Sequence, residues 1–131
     1  LMVDVDHFKH YNDHYGQQAG DACLQALASQ LQQLCQRPGD VAARYGGEEL
    51  VVMLAGTRAP GAVHLAQTLL DALAHIKLAH AASDVAPFVT VSVGVATTEH
   101  PQCATPERLL QAADRALYVA KNTGRARASL A

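Results

Sequence analysis

The chain has no tryptophan and only two phenylalanines, so its core must be built from smaller side chains, chiefly Leu, Val and Ala. Half of it counts as hydrophobic, but alanine supplies 25 of the 131 residues, and bulky apolar groups are correspondingly fewer. Long apolar runs are missing too. The longest, Leu50–Ala55, falls far short of the roughly 20 residues that a membrane-crossing helix needs. No excess of one charge exists: 10 Lys and Arg face 12 Asp and Glu, for a net charge of −2. That balance leaves no electrostatic footprint for duplex nucleic acid or an anionic membrane surface. The three cysteines, Cys23, Cys35 and Cys103, follow no metal-ligand or disulfide spacing and fit a reducing compartment. The opening LMVDVD carries acids where a secretion signal would carry bases. With 17% charged residues beside so much apolar content, disorder is excluded, and the length suits one compact domain over 1–131.

The hydrophobic pattern divides the chain into alternating elements. Leu1–Val5 reads as a buried strand, and since the chain opens inside it, a fragment of a longer protein is expected. His7–Tyr15 reads as a short helix ended by Gly16. A second helix is expected from about Ala22, with Asp21 near its positive end and Leu24, Leu27, Leu31 and Leu34 on one face. Arg37–Asp40 forms a turn. Val41–Tyr45 and Glu49–Leu54 flank Gly46-Gly47, which predicts a hairpin with both glycines at positive φ. Leu65, Leu69, Leu70, Leu73 and Ile76 mark a third helix, and the β-branched run Phe88–Ala96 a strand, with Gly94 a point of close backbone approach. Thr105 caps a fourth helix opened by Pro106 and closed by Gly124. The order βααββαβα predicts an α/β (α+β) sandwich, a mixed central sheet flanked by helices.

Three polar groups stand out. Asp4 and Asp6 close a hydrophobic strand, on one face of it by alternation, where like charges repel unless a cation sits beside them. Glu48 and Glu49 follow the Gly-Gly pair. If the hairpin lies beside the first strand, Asp4 and Glu48 converge into a hard-cation site of the Mg²⁺ kind; the same acids would serve equally as solvated strand ends. Lys121 and Arg125 lie at the end of the last helix, where they suit either the helix dipole or the phosphates of a nucleotide. His10 and His14, four apart, have no third ligand at fixed spacing and read as solvated.

Taken together, DVDHFKHYNDHYGQQAGD, RYGGEEL, VSVGVA and ADRALYVAKNTGR, in this order and at these distances, resemble the GGDEF-domain family, the diguanylate cyclases, over essentially the whole chain. The resemblance implies a nucleotidyl-cyclase-palm-like fold, here without its amino-terminal helix and Asp-x-Leu-Thr loop. It also implies a reaction in which two GTP molecules, one on each domain of a homodimer, become cyclic di-GMP and two pyrophosphates. It makes Asp4, Glu48 and the Val5 carbonyl the ligands of Mg²⁺, with Mn²⁺ as an alternative. Glu48 becomes the candidate base for the attacking 3′-hydroxyl and Lys9 a second catalytic side chain at the phosphates. Asn12 and Asp21 match the guanine-reading positions, and Gln17 stands where the family usually has His. His7, Phe8, Lys121 and Arg125 match phosphate-contacting positions.

Upstream, Arg37 and Asp40 form an RxxD, five residues before Gly46. By resemblance this is the inhibitory site for the cyclic di-GMP product, and on spacing alone it is an exposed turn. The signature Gly46-Gly47-Glu48-Glu49-Leu50 departs from the family at Leu50, where Phe is usual, and Leu keeps the apolar role with less volume. The family further implies an attached sensor or receiver domain and a bacterial cytoplasmic setting, whether or not the parent protein is membrane-anchored. A rival reading is a domain without turnover that serves as a receptor for cyclic di-GMP or GTP.

Overall fold

A computed structural model describes residues 1–131. Its elements are β1 (Met2–Val5), α1 (Phe8–Tyr15), α2 (Gln17–Leu34), β2 (Val41–Gly46), β3 (Glu49–Met53), α3 (Ala59–Ile76), β4 (Val91–Val95), α4 (Pro106–Asn122) and β5 (Ala128–Leu130). The strands form one mixed sheet in the order β2-β3-β1-β4-β5. All pairings are antiparallel except β4 with β5, which is parallel. No helix is long and apolar enough to cross a membrane.

Alternation along the strands sorts side chains onto two faces. Val3, Val5, Leu50, Val52, Val91, Val93 and Val95 face α2 and α3, where Leu24, Leu27, Leu31, Ala62, Ala66, Leu69 and Leu73 complete the main core. Leu50 of the signature is buried there, as its apolar character requires. On the other face α4 covers Met2 with Ala113 and Leu117. Gly94 makes that approach possible: a Cβ on it would sit 2.0 Å from the Ala113 carbonyl oxygen and 2.4 Å from the Leu117 nitrogen. The Thr105 side chain accepts from the Arg108 amide (3.2 Å) and caps α4 as expected, with Pro106 in its first turn.

Four sequence expectations need correction. The second helix starts at Gln17, so Asp21 lies a turn inside it rather than at its cap. Residues 17–20 lack the apolar periodicity that would reveal them, and Gly16 (φ 92°) ends α1 and begins α2 without a linker. At the hairpin only Gly47 has positive φ (51°). Gly46 belongs to β2 and pairs with Glu49 across a register shift, which puts Glu48 at the tip of the turn. The fourth strand is confined to Val91–Val95, with Phe88 in an isolated bridge to Ala79. Finally, β5 extends the sheet beyond α4: the Val93 amide donates to the Arg127 carbonyl (2.9 Å) and the Ala131 amide to the Val95 carbonyl (2.8 Å).

Candidate functional site

The hairpin does lie beside β1, with Asp4 opposite Glu49. Between the hairpin tip and the α1–α2 pair opens a cleft of about 410 Å³. Phe8, Lys9, Asn12, Gln17, Asp21, Gly47 and Glu48 line it, together with Leu24 and Arg44. Seven of the residues singled out in the sequence, from two separate motifs, thus meet in one cavity.

Its walls follow from local structure. The chain leaves β1 through His7, which adopts a left-handed conformation (φ 53°, ψ 39°) and starts α1 without a side-chain cap. The first intrahelical bond is Tyr11 N–H to the His7 carbonyl (3.0 Å), so the leading amides of α1 have no helical partner and favour an anion. Asn12 lies against α2 because residue 20 is glycine: a Cβ there would fall 1.8 Å from Asn12 Oδ1. That oxygen is buried and has no hydrogen-bond partner. Asp21 and Lys9 are exposed on the cleft rim.

Asp4 and Lys121 do not line the cleft but meet beside it. Lys121 Nζ donates to Asp4 Oδ2 at 2.5 Å, joining the end of α4 to β1 across 117 positions. Asp4 is only 3% exposed. Burial pushes its carboxyl up, Lys121 pulls it down and the nearby Glu48 and Glu49 push it up again, leaving it at about 6. Neither Asp4 nor Asp6 is therefore a solvated strand end. No three acidic, His or Cys side chains cluster as an ion site; what Asp4 and Glu48 offer a divalent cation is two carboxylates that act on each other electrostatically, with the Val5 carbonyl as a further oxygen. The Val5 carbonyl lies at the end of β1, where pairing with β3 has stopped at Asp4.

Because folding raises the Asp4 value above its unfolded 3.8, the sign is that of a group favouring the protonated fold. Its stabilisation is whole below about pH 4 and is lost as pH rises through about 6. Without divalent cations, Asp4→Asn is expected to stabilise the protein by about 1–2 kcal/mol at pH 7 after allowing for solvent screening, with little effect at pH 4. Thermal melts at the two pH values check this. A lower Tm for the variant at pH 7 would mean that the pair with Lys121 outweighs the burial of Asp4.

Arg37 and Asp40 sit apart, at the opposite end of the hairpin from Glu48. The extended residues between Asp40 and Gly46 separate the two ends by about 20 Å. Asp40 Oδ1 accepts from the Ala55 amide (3.0 Å), and Arg37 reaches Asp40 Oδ2 at 3.4 Å. Arg37 Nη2 also donates to the Ala55 carbonyl (2.8 Å) and to the Thr57 hydroxyl. Burial pushes the Asp40 carboxyl up, but the Ala55 amide and Arg37 outweigh it and hold it below the usual range. The Arg37 side chain remains 55% exposed while that of Asp40 is covered. One face of the guanidinium braces the turn, and the rest is open to solvent.

Sequence reasoning missed several participants. Arg44 lines the cleft, and its Nε donates to the Gly47 carbonyl (2.9 Å), bracing the turn that carries Glu48. Alternation could have found it, since it stands opposite Leu50. The segment after α3 straps α1 from outside. His80, fully buried, donates through Nε2 to the His7 carbonyl (3.1 Å), and the Tyr15 hydroxyl accepts from the Ala81 amide (2.9 Å). Asp84 lies 2.7 Å from His7 Nε2 but is not aligned for a hydrogen bond. The His7 side chain is mostly covered and directed at Asp84, and His7 does not line the cleft. Arg125, in a turn beyond α4, makes no ion pair and does not line the cleft.

The family described as "Diguanylate cyclase, GGDEF domain" matches residues 1–127. Diguanylate cyclase DgcM of Escherichia coli K12 is 42% identical over 127 residues, covering 97% of this chain and 29% of that protein. The chain therefore spans less than a third of this relative. The coiled coil and GGDEF domain of DgcB from Caulobacter crescentus, solved in complex with c-di-GMP, superposes with a TM-score of 0.84 at 28% identity. That match covers 99% of this chain and 67% of the other. The active GGEEF domain of a diguanylate cyclase from Vibrio cholerae gives 0.83 at 29% identity, covering 98% and 79%. With the family matched across nearly every residue and the fold reproduced, the chain belongs to the GGDEF domain family of diguanylate cyclases.

Proposed function

We propose that this domain condenses two GTP into cyclic di-GMP with release of two pyrophosphates, each of two facing copies presenting one bound GTP. The observation that carries this reading is the single cleft in which Lys9, Asn12, Asp21 and Glu48 meet, with the Asp4–Lys121 pair beside it. The guanine lies toward Asp21, whose carboxylate accepts from N1–H and the 2-amino group, and the buried Asn12 Oδ1 is an acceptor in want of a donor. The triphosphate lies toward the unpaired amides at the start of α1, Lys9, Lys121 in the last turn of α4 and Arg125 beyond it.

In each half-reaction a 3′-oxygen of one GTP bonds to the α-phosphorus of the other, and the bond from that phosphorus to the bridging oxygen breaks, freeing pyrophosphate. Glu48, at the hairpin tip, takes the hydroxyl proton. Lys121 and Arg125 balance the charge that builds on the leaving group. Asp4, Glu48 and the Val5 carbonyl would hold Mg²⁺, which supplies Lewis-acid polarisation of the phosphate oxygens. Two carboxylates and one carbonyl leave the remaining positions of a six-coordinate ion to water and phosphate, as Mg²⁺ prefers.

Calorimetric titration in Mg²⁺ tests the substrate. GTP is expected to bind about 10- to 100-fold more tightly than ATP, the scale of hydrogen bonds to one carboxylate. Equal affinities would remove Asp21 from base recognition. We further propose that the open face of Arg37 takes cyclic di-GMP, so that product restrains the enzyme. Arg37→Ala is then expected to shift the inhibition curve at least about tenfold toward higher product, the scale of a lost charge-assisted contact; an unchanged curve would refute that site. A receptor without turnover would bind cyclic di-GMP and yield no product.

A further inference from the structure

The second acid of Asp4-Val5-Asp6 has no place in the cleft, yet it is 2% exposed. Its carboxylate accepts three hydrogen bonds: from Thr90 Oγ1 (2.8 Å) and Ser92 Oγ (2.7 Å), and, across 120 positions, from the Ala126 amide (3.0 Å). The Asp6 amide in turn donates to the Thr90 carbonyl (3.0 Å). The first two contacts fix Asp6 to β4 and its approach. The third reaches the turn that follows α4.

That turn is strained. Gly124, Arg125 and Ala126 run consecutively at positive φ, 127°, 59° and 48°, and two of them carry side chains that disfavour the left-handed region. Such a run persists only where its surroundings over-determine it. The Arg125 amide is paired to the Ala120 carbonyl (3.0 Å), and Arg127 Nε donates to the Arg125 carbonyl (3.0 Å). The Arg127 guanidinium fits because residue 124 lacks a Cβ, which would lie 2.4 Å from Nη2. Asp6 supplies the remaining hold on the Ala126 amide, a charge-assisted, part-buried bond.

We propose that Asp6 is the positioning residue of the phosphate clamp: its carboxylate fixes the left-handed 124–126 turn and so sets where Arg125 points. This rests on the nucleotide reading above. The two acids then divide the work, Asp4 meeting Lys121 directly and Asp6 placing Arg125 through the backbone.

The test is GTP titration in Mg²⁺ across a double-mutant cycle, with amide exchange of Ala126 followed by NMR. Asp6→Ala is expected to weaken GTP binding about tenfold, the scale of one lost charge-assisted contact, and to speed Ala126 exchange. In an Arg125→Ala background the same change should cost less than twofold, because the group it positions is gone. Asp6→Asn should restore most of the affinity, since its oxygen can keep the Ala126 amide while its NH₂ donates to Ser92. Asp6→Ser, too short to reach Ala126, replaces Asp6→Ala should that variant not fold. Additive losses in the cycle, or undiminished GTP binding by the folded variant, would overturn the proposal. Wild-type protein that binds no GTP would overturn the nucleotide reading and the clamp role with it, while Ala126 exchange would still show whether Asp6 holds the turn.

Discussion

Glu48→Gln is expected to abolish the proposed cyclic di-GMP synthesis, with a loss of at least about 10³-fold in turnover and an unaltered fold. Two effects combine to make it large. Proton removal from the 3′-hydroxyl is worth about 10²–10⁴-fold where a positioned base performs it, and a neutral amide cannot accept that proton. The same substitution removes one of the two carboxylates, Asp4 and Glu48, proposed to hold a divalent cation, and so weakens that hold. Stability should change little, because Glu48 sits at a turn tip that Arg44 and Gly47 maintain through the main chain. Chromatographic product assay and thermal melting of both proteins check the pair of expectations. Undiminished synthesis would take Glu48 out of the chemistry.

Gly94→Ala should be the most damaging single methyl in the molecule. In an ordinary strand, replacing Gly by Ala gains about 0.5–1 kcal/mol through reduced freedom of the unfolded chain. Here the added Cβ would sit 2.0 Å and 2.4 Å from backbone atoms of α4, and backbone cannot swing aside as a flexible side chain can. Overpacking of this kind costs about 3 kcal/mol or more, so the steric loss wins, and Tm should fall by roughly 10 °C. The damage would also reach the site. Lifting α4 from β4 moves Lys121 away from Asp4 and disturbs the turn bearing Arg125. An equal or higher Tm for the variant would contradict the close approach of α4 to the sheet.

Elements with strong local signals were legible in the sequence. The Thr105-Pro106 start and the leucine periodicity of α2 were such signals, as was the apolar run before Asp4 that marks β1. Gly94 could be read as a close approach because glycine in a β-branched run seldom has another use. What escaped depends on tertiary context. The strand β5 has three residues and no alternation of its own; it forms because β4 presents unpaired main-chain groups along its outer edge. The first turn of α2 carries Gln, Gln, Ala and Gly, with nothing in its pattern to separate helix from loop.

The site was legible to a similar degree. Lys9, Asn12 and Asp21 fall in one motif and Glu48 in another, so their convergence required only that the hairpin lie against β1. The Asp4–Lys121 pair spans 117 positions, and no spacing rule connects residues so distant; family likeness gave each a separate role, at the metal and at the phosphates, but did not pair them. The role of Asp6 was invisible because three of its partners, Thr90, Ser92 and the Ala126 amide, lie far along the chain and one is main chain. His80 escaped for the same reason, its partner being the His7 carbonyl.

The most direct test of the enzyme reading is incubation of the protein with GTP and Mg²⁺, followed by chromatographic separation of the nucleotides. The expected result is cyclic di-GMP and two pyrophosphates for each molecule formed, with none from Glu48→Gln. A folded, dimeric protein that binds GTP and Mg²⁺ yet returns the GTP unchanged would contradict it.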